Sequence, residues 1–154
     1  MKCLKLIFCL LYFCCSLAEA KEVQVDAQKE VDEMTGRLVA SYLEAKVDED
    51  IIAGYASALR SDGSFPDLDY VTVHEGSSYP AGSHLKRLKL MAIAYRKPGN
   101  KYYNSGRLLK QIVAGIDYWY RVRPKSGNWW FGDIGAPQDY MVPLILLKGK
   151  ISDK

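Results

Sequence analysis

After residue 20 this sequence contains no cysteine: Cys3, Cys9, Cys14 and Cys15 all precede it. Disulfides and thiolate ligation are thereby excluded downstream, and the remaining chain has to be held by side-chain burial alone. Histidine is almost as scarce. Only His74 and His84 occur, neither with a second ligand at helical spacing, whereas a zinc site takes three or four ligands, so no metal site is expected. Also missing are the Gly-x-Ser-x-Gly elbow, the phosphate-binding loop and the dinucleotide fingerprint; no cofactor and none of the common catalytic classes is indicated. A strong charge of either sign is lacking too. The formal net charge is +3, and setting aside Lys2, Lys5 and Glu19 leaves +2, too little for a nucleic-acid binder but compatible with a local basic groove for an acidic ligand.

What the sequence does have begins with a leader. Lys2 and Lys5 precede an apolar run from Leu6 to Leu17, and Ala18-Glu19-Ala20 closes it with small residues, the form of a secretory signal peptide cleaved after Ala20. The run is well short of the roughly 20 residues a spanning helix needs. A secreted or periplasmic chain of residues 21–154, with no stable membrane anchor after cleavage, is the expectation.

Downstream the apolar spacing is helical. Val31, Met34, Leu38, Tyr42 and Ala45 share one stripe of a helix over 26–45 capped by Asp26, and a second helix runs from near Asp50 through Ile51, Ile52, Tyr55, Ala56 and Leu59 to a stop at Ser61-Asp62-Gly63. From Asp62 to Gly82 the period disappears, giving a long loop with one short strand at Tyr70–Val73, a loop length that tends to be functional. A third helix follows with Ser83 as cap and Leu85, Leu88, Met91, Ala92 and Tyr95 as its buried stripe, ending at Pro98-Gly99. The fourth spans Asn104 to Tyr120. A fifth is entered at Pro137 and contains Pro143. Helices paired by alternately short and long connections make an all-α layered array.

The densest unusual chemistry is Gly127 to Gln138, where Asn128, Trp129, Trp130 and Phe131 set an amide beside three consecutive rings. Gly135-Ala136-Pro137 then reads as a loop-to-helix entry rather than the interior of a regular element. Adjacent bulky rings cannot all face one core. Either other elements wrap this stretch, or it is an exposed platform on which a pyranose stacks while amide and guanidinium groups bond its hydroxyls and carboxylates. Asn128, Trp129, Trp130, Arg121 and Arg123 are the candidate substrate-binding residues. Arg121, Arg123 and Lys125 have a second explanation, because cations at a helix C-terminus are favoured by the helix dipole. His84, in a first helical turn, reads as a cap or surface residue, and His74 as a general base with no identified partner. Asp67, Asp69 and Asp133 raise a glycoside hydrolase pair but sit where aspartate forms turns.

Asn128-Trp129-Trp130-Phe131 with Asp133-Ile134-Gly135-Ala136-Pro137-Gln138 resembles the Asn-Trp-Trp and Glu-Ile-Gly-x-Pro segment of polysaccharide lyase family 8. Asp62-Gly63-Ser64-Phe65-Pro66-Asp67-Leu68-Asp69-Tyr70 is similar to that family's Asp-Gly-Ser-Trp-x-Asp-Ile-x-Tyr loop, and His84-Leu85, Met91 to Tyr95 and Gly115 to Trp119 fit its next two helices. Asp133 stands for the usual glutamate and Phe65 for the usual tryptophan. The resemblance implies a partial α/α toroid, ending before the ring is complete, and an acidic, glycosaminoglycan-like polysaccharide as partner. It also implies Trp129 and Trp130 in an aromatic patch that positions the sugar chain, and β-elimination at a uronic acid with no obligatory metal. The family's catalytic asparagine, histidine, tyrosine and arginines come after the segment matched here, so no catalytic residue is assigned. The expected protein is an exported N-terminal fragment of such a lyase; a glycan-binding helical module without catalysis, or a gene remnant, are the alternatives.

Overall fold

A computed structural model describes residues 27–151; the expected leader and the expected Asp26 cap lie outside the described residues. Contacts divide the chain between Ala40 and Ser41. The described residues of the first unit, 27–40, are part of helix α1, residues 27–43, on which Val31, Met34 and Leu38 are exposed and Gln28 donates to Asp32 one turn on.

The second unit carries the core. Asp48 starts α2 (Glu49–Ala58) by accepting the backbone N–H groups of Asp50 and Ile51, each at 3.1 Å, two donors that a first helical turn cannot satisfy internally. A 3-10 turn, Pro80–Gly82, runs directly into α3 (Ser83–Arg96). Ser83 is therefore the first residue of α3 and not its cap, and no side chain caps that end, because the preceding turn already directs the chain into the helix. All five residues of the expected stripe are buried, and so are His84, Ile93 and Ala94, which widens the buried surface beyond one stripe. The cause is that α3 packs against α2 on one side and, on others, against α4 (Gly106–Val122) and α5 (Ala136–Leu146).

Each remaining boundary has a local cause. After α3 the Asn100 amide donates to the carbonyls of Ala94 and Lys97, taking up acceptors the helix end leaves free. Ser105 caps α4 by accepting from Leu108, and Leu108, Ile112, Gly115, Ile116 and Trp119 form its buried stripe. At Gly115 α3 and α4 come close, since a Cβ there would lie 2.6 Å from Leu88.

The stretch from Leu59 to Tyr79 is irregular but anchored, and no strand forms at Tyr70–Val73. The Asp69 carboxylate accepts the N–H groups of Val71 and Thr72 at 2.9 and 3.0 Å, closing a turn where a ladder would have needed those donors, and Val71 is left exposed. Phe65 is fully buried and meets Tyr55 and His84 edge-on, a side-chain burial that stabilises by about 1.5–3 kcal/mol. Gly63, at φ +91°, lies against the α4 backbone at Ala114, and Asp67 pairs through both carboxylate oxygens with Arg87 of α3. Among the described residues the fold is all-α, five helices with no strand.

Candidate functional site

The helix containing α5 begins earlier than its proline suggests. Residues 129–130 are already α-helical, Phe131–Gly135 form one π-helical turn, and Ala136 continues as α5, so the aromatic stretch is the opening of a helix and not a loop. Asn128 explains the start: its Oδ1 accepts the Trp130 N–H at 3.0 Å, while its backbone carbonyl takes the N–H groups of Phe131 and Gly132. The widened turn is closed by Ala136 N–H donating to Phe131 O, five residues back.

The connecting segment straps this start in place. Gly127 N–H donates to His74 O at 3.0 Å, Asn128 Nδ2 donates to Gly76 O at 2.8 Å, and the Glu75 carboxylate occupies the space a Cβ on Gly127 would need. Asn128 is thus largely committed to the protein, keeping one amide hydrogen and one lone pair for a ligand. Both tryptophans face outward: Trp129 is 67% exposed and Trp130 44%, values that place neither in the core. Trp130 is nevertheless oriented, since its ring lies over Gly135, where an added Cβ would come within 2.7 Å, and it meets Phe131 edge-on at 5.3 Å. Phe131 in turn lies 5.5 Å from Tyr79, whose hydroxyl donates to Pro124 O.

Two grooves flank the π turn and share Tyr79 and Ala136 as walls. One, of about 140 Å³, is bounded by Trp130, Phe131, Lys86, Gln138 and Asp139. The other, of about 270 Å³, is bounded by Tyr120, Arg123, Pro124, Pro137 and Tyr140. Arg123 ends α4 in the left-handed conformation (φ 46°, ψ 63°), with its Nε donating to Tyr120 O and its guanidinium 4.6 Å above the Tyr120 ring. Arg121 goes elsewhere. Its Nη2 donates to Asp62 O at 3.4 Å, its guanidinium lies 5.4 Å from the Tyr118 ring centre, and among the described residues it is part of neither groove wall.

The histidines divide. His84 is completely buried and not at the surface: Nε2 donates to Gly115 O at 2.9 Å, which leaves Nδ1 to accept the Tyr70 hydroxyl at 2.9 Å, and that hydroxyl accepts the Phe65 N–H. Burial holds its pKa down at about 4 and pushes Tyr70 up to about 12, so this network stays neutral and structural. His74 has Nε2 3.7 Å from Asp69. Asp69 is held down at about 2 by hydrogen bonds from Thr72 and Val71, which makes it a turn carboxylate. No group of three or more His, Asp or Glu side chains able to hold a metal occurs among the described residues.

Tyr79, Lys86 and Tyr140 have no place in the sequence-derived site. Tyr79 had one usable signal, an aromatic residue alone after Gly76-Ser77-Ser78 and directly before Pro80.

Among the described residues five helices, with one long irregular connection before the third and exposed tryptophans at the head of the last, define an all-helical domain with an aromatic-walled surface. The chain belongs to polysaccharide lyase family 8: the family's N terminal alpha-helical domain matches residues 26–154. It is 34% identical to chondroitinase-AC of Pedobacter heparinus over 92 residues, 60% of this chain and 13% of that enzyme. Against hyaluronate lyase HylB of Enterococcus faecalis it is 28% identical over 95 residues, 56% of this chain and 10% of the relative. A chondroitinase AC lyase solved in complexes with oligosaccharides superposes with a TM-score of 0.67 at 28% identity, over 75% of this chain and 17% of that one. The fold is therefore part of an α/α toroid, and the chain spans about a tenth to a sixth of the length of these relatives.

Proposed function

We propose that this chain is an exported N-terminal piece of a polysaccharide lyase and supplies part of the cleft in which a uronic-acid-containing polysaccharide of the chondroitin or hyaluronan type is laid for β-elimination. The observation that carries the reading is the outward-facing pair Trp129 and Trp130 at the head of the last helix, the second of them held over Gly135 and against Phe131. Indole faces stack on the apolar face of a pyranose, and the Trp130 ring, already seated over Gly135, loses little freedom when it does so. The names of the relatives, a chondroitinase and a hyaluronate lyase, support the substrate class. Lys86 beside Trp130 gives the surface a cation for an acidic chain. The role assigned here is binding, and no residue of the chain is assigned to proton transfer.

The test is retention on immobilised chondroitin sulfate or hyaluronan. The wild-type chain is expected to be retained, and Trp129→Ala/Trp130→Ala to elute unretained with unchanged helical circular dichroism. Equal retention of both proteins would remove the platform. In the same assay the ultraviolet absorbance of unsaturated sugars should not rise with time; an enzyme-dependent rise would contradict the binding-only role.

A further inference from the structure

The second groove, on the Arg123 side of the π turn, has a chemistry separate from that of the tryptophans. Arg123 is unusually constrained for an exposed arginine. Its backbone is pinned in the left-handed conformation by its N–H donating to Trp119 O, its Nε is spent on Tyr120 O, and its guanidinium plane rests on the Tyr120 ring. The terminal Nη groups are what remain, and a guanidinium edge matches an oxyanion through two parallel hydrogen bonds. Among the described residues no carboxylate lines the groove, although Asp117 lies near enough to act on Tyr140. The other walls are the apolar faces of Tyr79, Pro124, Pro137 and Tyr140, which suit the C–H face of a sugar ring. At about 270 Å³ the space is just below the usual range for drug-sized ligands and suits one ring with its substituent, not several. Burial raises the Tyr140 pKa, with a smaller contribution from Asp117, so its phenol stays protonated beside the bound group.

We propose that this groove is a subsite for a single sugar unit carrying an exocyclic oxyanion, a carboxylate or a sulfate, gripped by Arg123 and separate from the Trp129–Trp130 surface. It rests on the reading that the chain binds acidic polysaccharide. Arg121, turned toward Asp62 and Tyr118, takes no part in it.

The experiment measures affinity of the full chain for oligosaccharides of hyaluronan, unsulfated chondroitin and chondroitin sulfate by calorimetry, for wild type, Arg123→Gln, Arg123→Lys and Trp129→Ala/Trp130→Ala. Arg123→Gln should weaken binding by about tenfold and make the remainder less sensitive to salt, because a charge-assisted pair has been removed. Arg123→Lys should recover only part, since an ammonium cannot reproduce the fork. Loss on all three polymers assigns the carboxylate; loss confined to chondroitin sulfate assigns the sulfate. Tyr140→Phe, inside the same groove, checks the ring pocket and should weaken binding by a smaller factor. Unchanged affinity of Arg123→Gln for every polymer, while the double tryptophan variant loses binding, overturns the subsite and leaves the platform standing. Failure of the wild-type chain to bind any of them overturns both.

Discussion

His84 joins three parts of the second unit through one ring: it belongs to α3, donates to the α4 carbonyl of Gly115 and accepts from Tyr70 of the long connection. Its folded pKa of about 4 lies below the ordinary 6.5, so as pH falls through that interval the unfolded chain gains a proton that the folded chain refuses. The stability this residue confers is fully present above about pH 6.5 and is lost toward pH 4, by about 3 kcal/mol. Urea midpoints taken between about pH 7 and about pH 4.5 should drop for the wild type, whereas His84→Gln, less stable overall, should lose that slope. A slope retained without His84 would sink this assignment. Its burial was not legible from sequence, because residue 84 sits in a first helical turn and what covers it, Phe65 and Tyr70, comes from 14 or more residues away through an aperiodic stretch. The exposed tryptophans were legible, since three adjacent rings exceed what one core face can take.

At the scale of elements, the α3–α4 contact is set by glycine. Leu88 fills the space over Gly115, and Gly63 brings the long connection onto the α4 backbone beside it, where a Cβ would come within 2.0 Å of Ala114 O. Gly54 in α2 has open space around it. Melting should therefore rank Gly54→Ala above wild type by about 0.5–1 kcal/mol, because alanine is the better helix former. Gly115→Ala should fall below wild type by about 1–3 kcal/mol through overpacking against Leu88. Gly63→Ala should fall lowest, since its neighbour is backbone and its φ is positive. A different order would mean that the helices approach elsewhere. The helices themselves were readable from apolar spacing, with α3 matching at all five positions. The strand expected at Tyr70–Val73 was not, because Asp69 takes up locally the N–H groups that β-branched residues would have offered to a neighbour. The start of the last helix was missed for a related reason: Pro137 is a strong entry signal, and the Asn128 cap nine residues before it was hidden by the glycines between.

For the molecule as a whole, the cysteine pattern and the expected leader make one prediction. When the chain is produced in a secreting host and recovered from the extracellular or periplasmic fraction, N-terminal sequencing should begin at Lys21, and the processed chain should melt identically with and without a thiol reductant, since residues 21–154 hold no cysteine. An intact Met1 terminus, or a chain kept in the cytoplasm, would refute export. Among the described residues no helix is long and apolar enough to cross a membrane. Family membership was legible because the motifs that carry it are sequence-local, whereas the grooves beside the π turn depend on Tyr79 meeting a helix more than fifty residues later.

The π turn itself has a consequence for how such a surface can vary. An α-helix advances about 100° per residue, so a helix interrupted by one wider turn has two independent phases, one before the interruption and one after it. Trp129 and Trp130 obey the first phase, and Val142, Pro143 and Leu146 obey the second. A gain or loss of one residue within Phe131–Gly135 would change the phase of the aromatic head relative to Val142, Pro143 and Leu146. The angle at which the aromatic head projects from the core is therefore set by the length of this one turn together with the hydrogen bonds that hold Gly127 and Asn128 to residues 74–76.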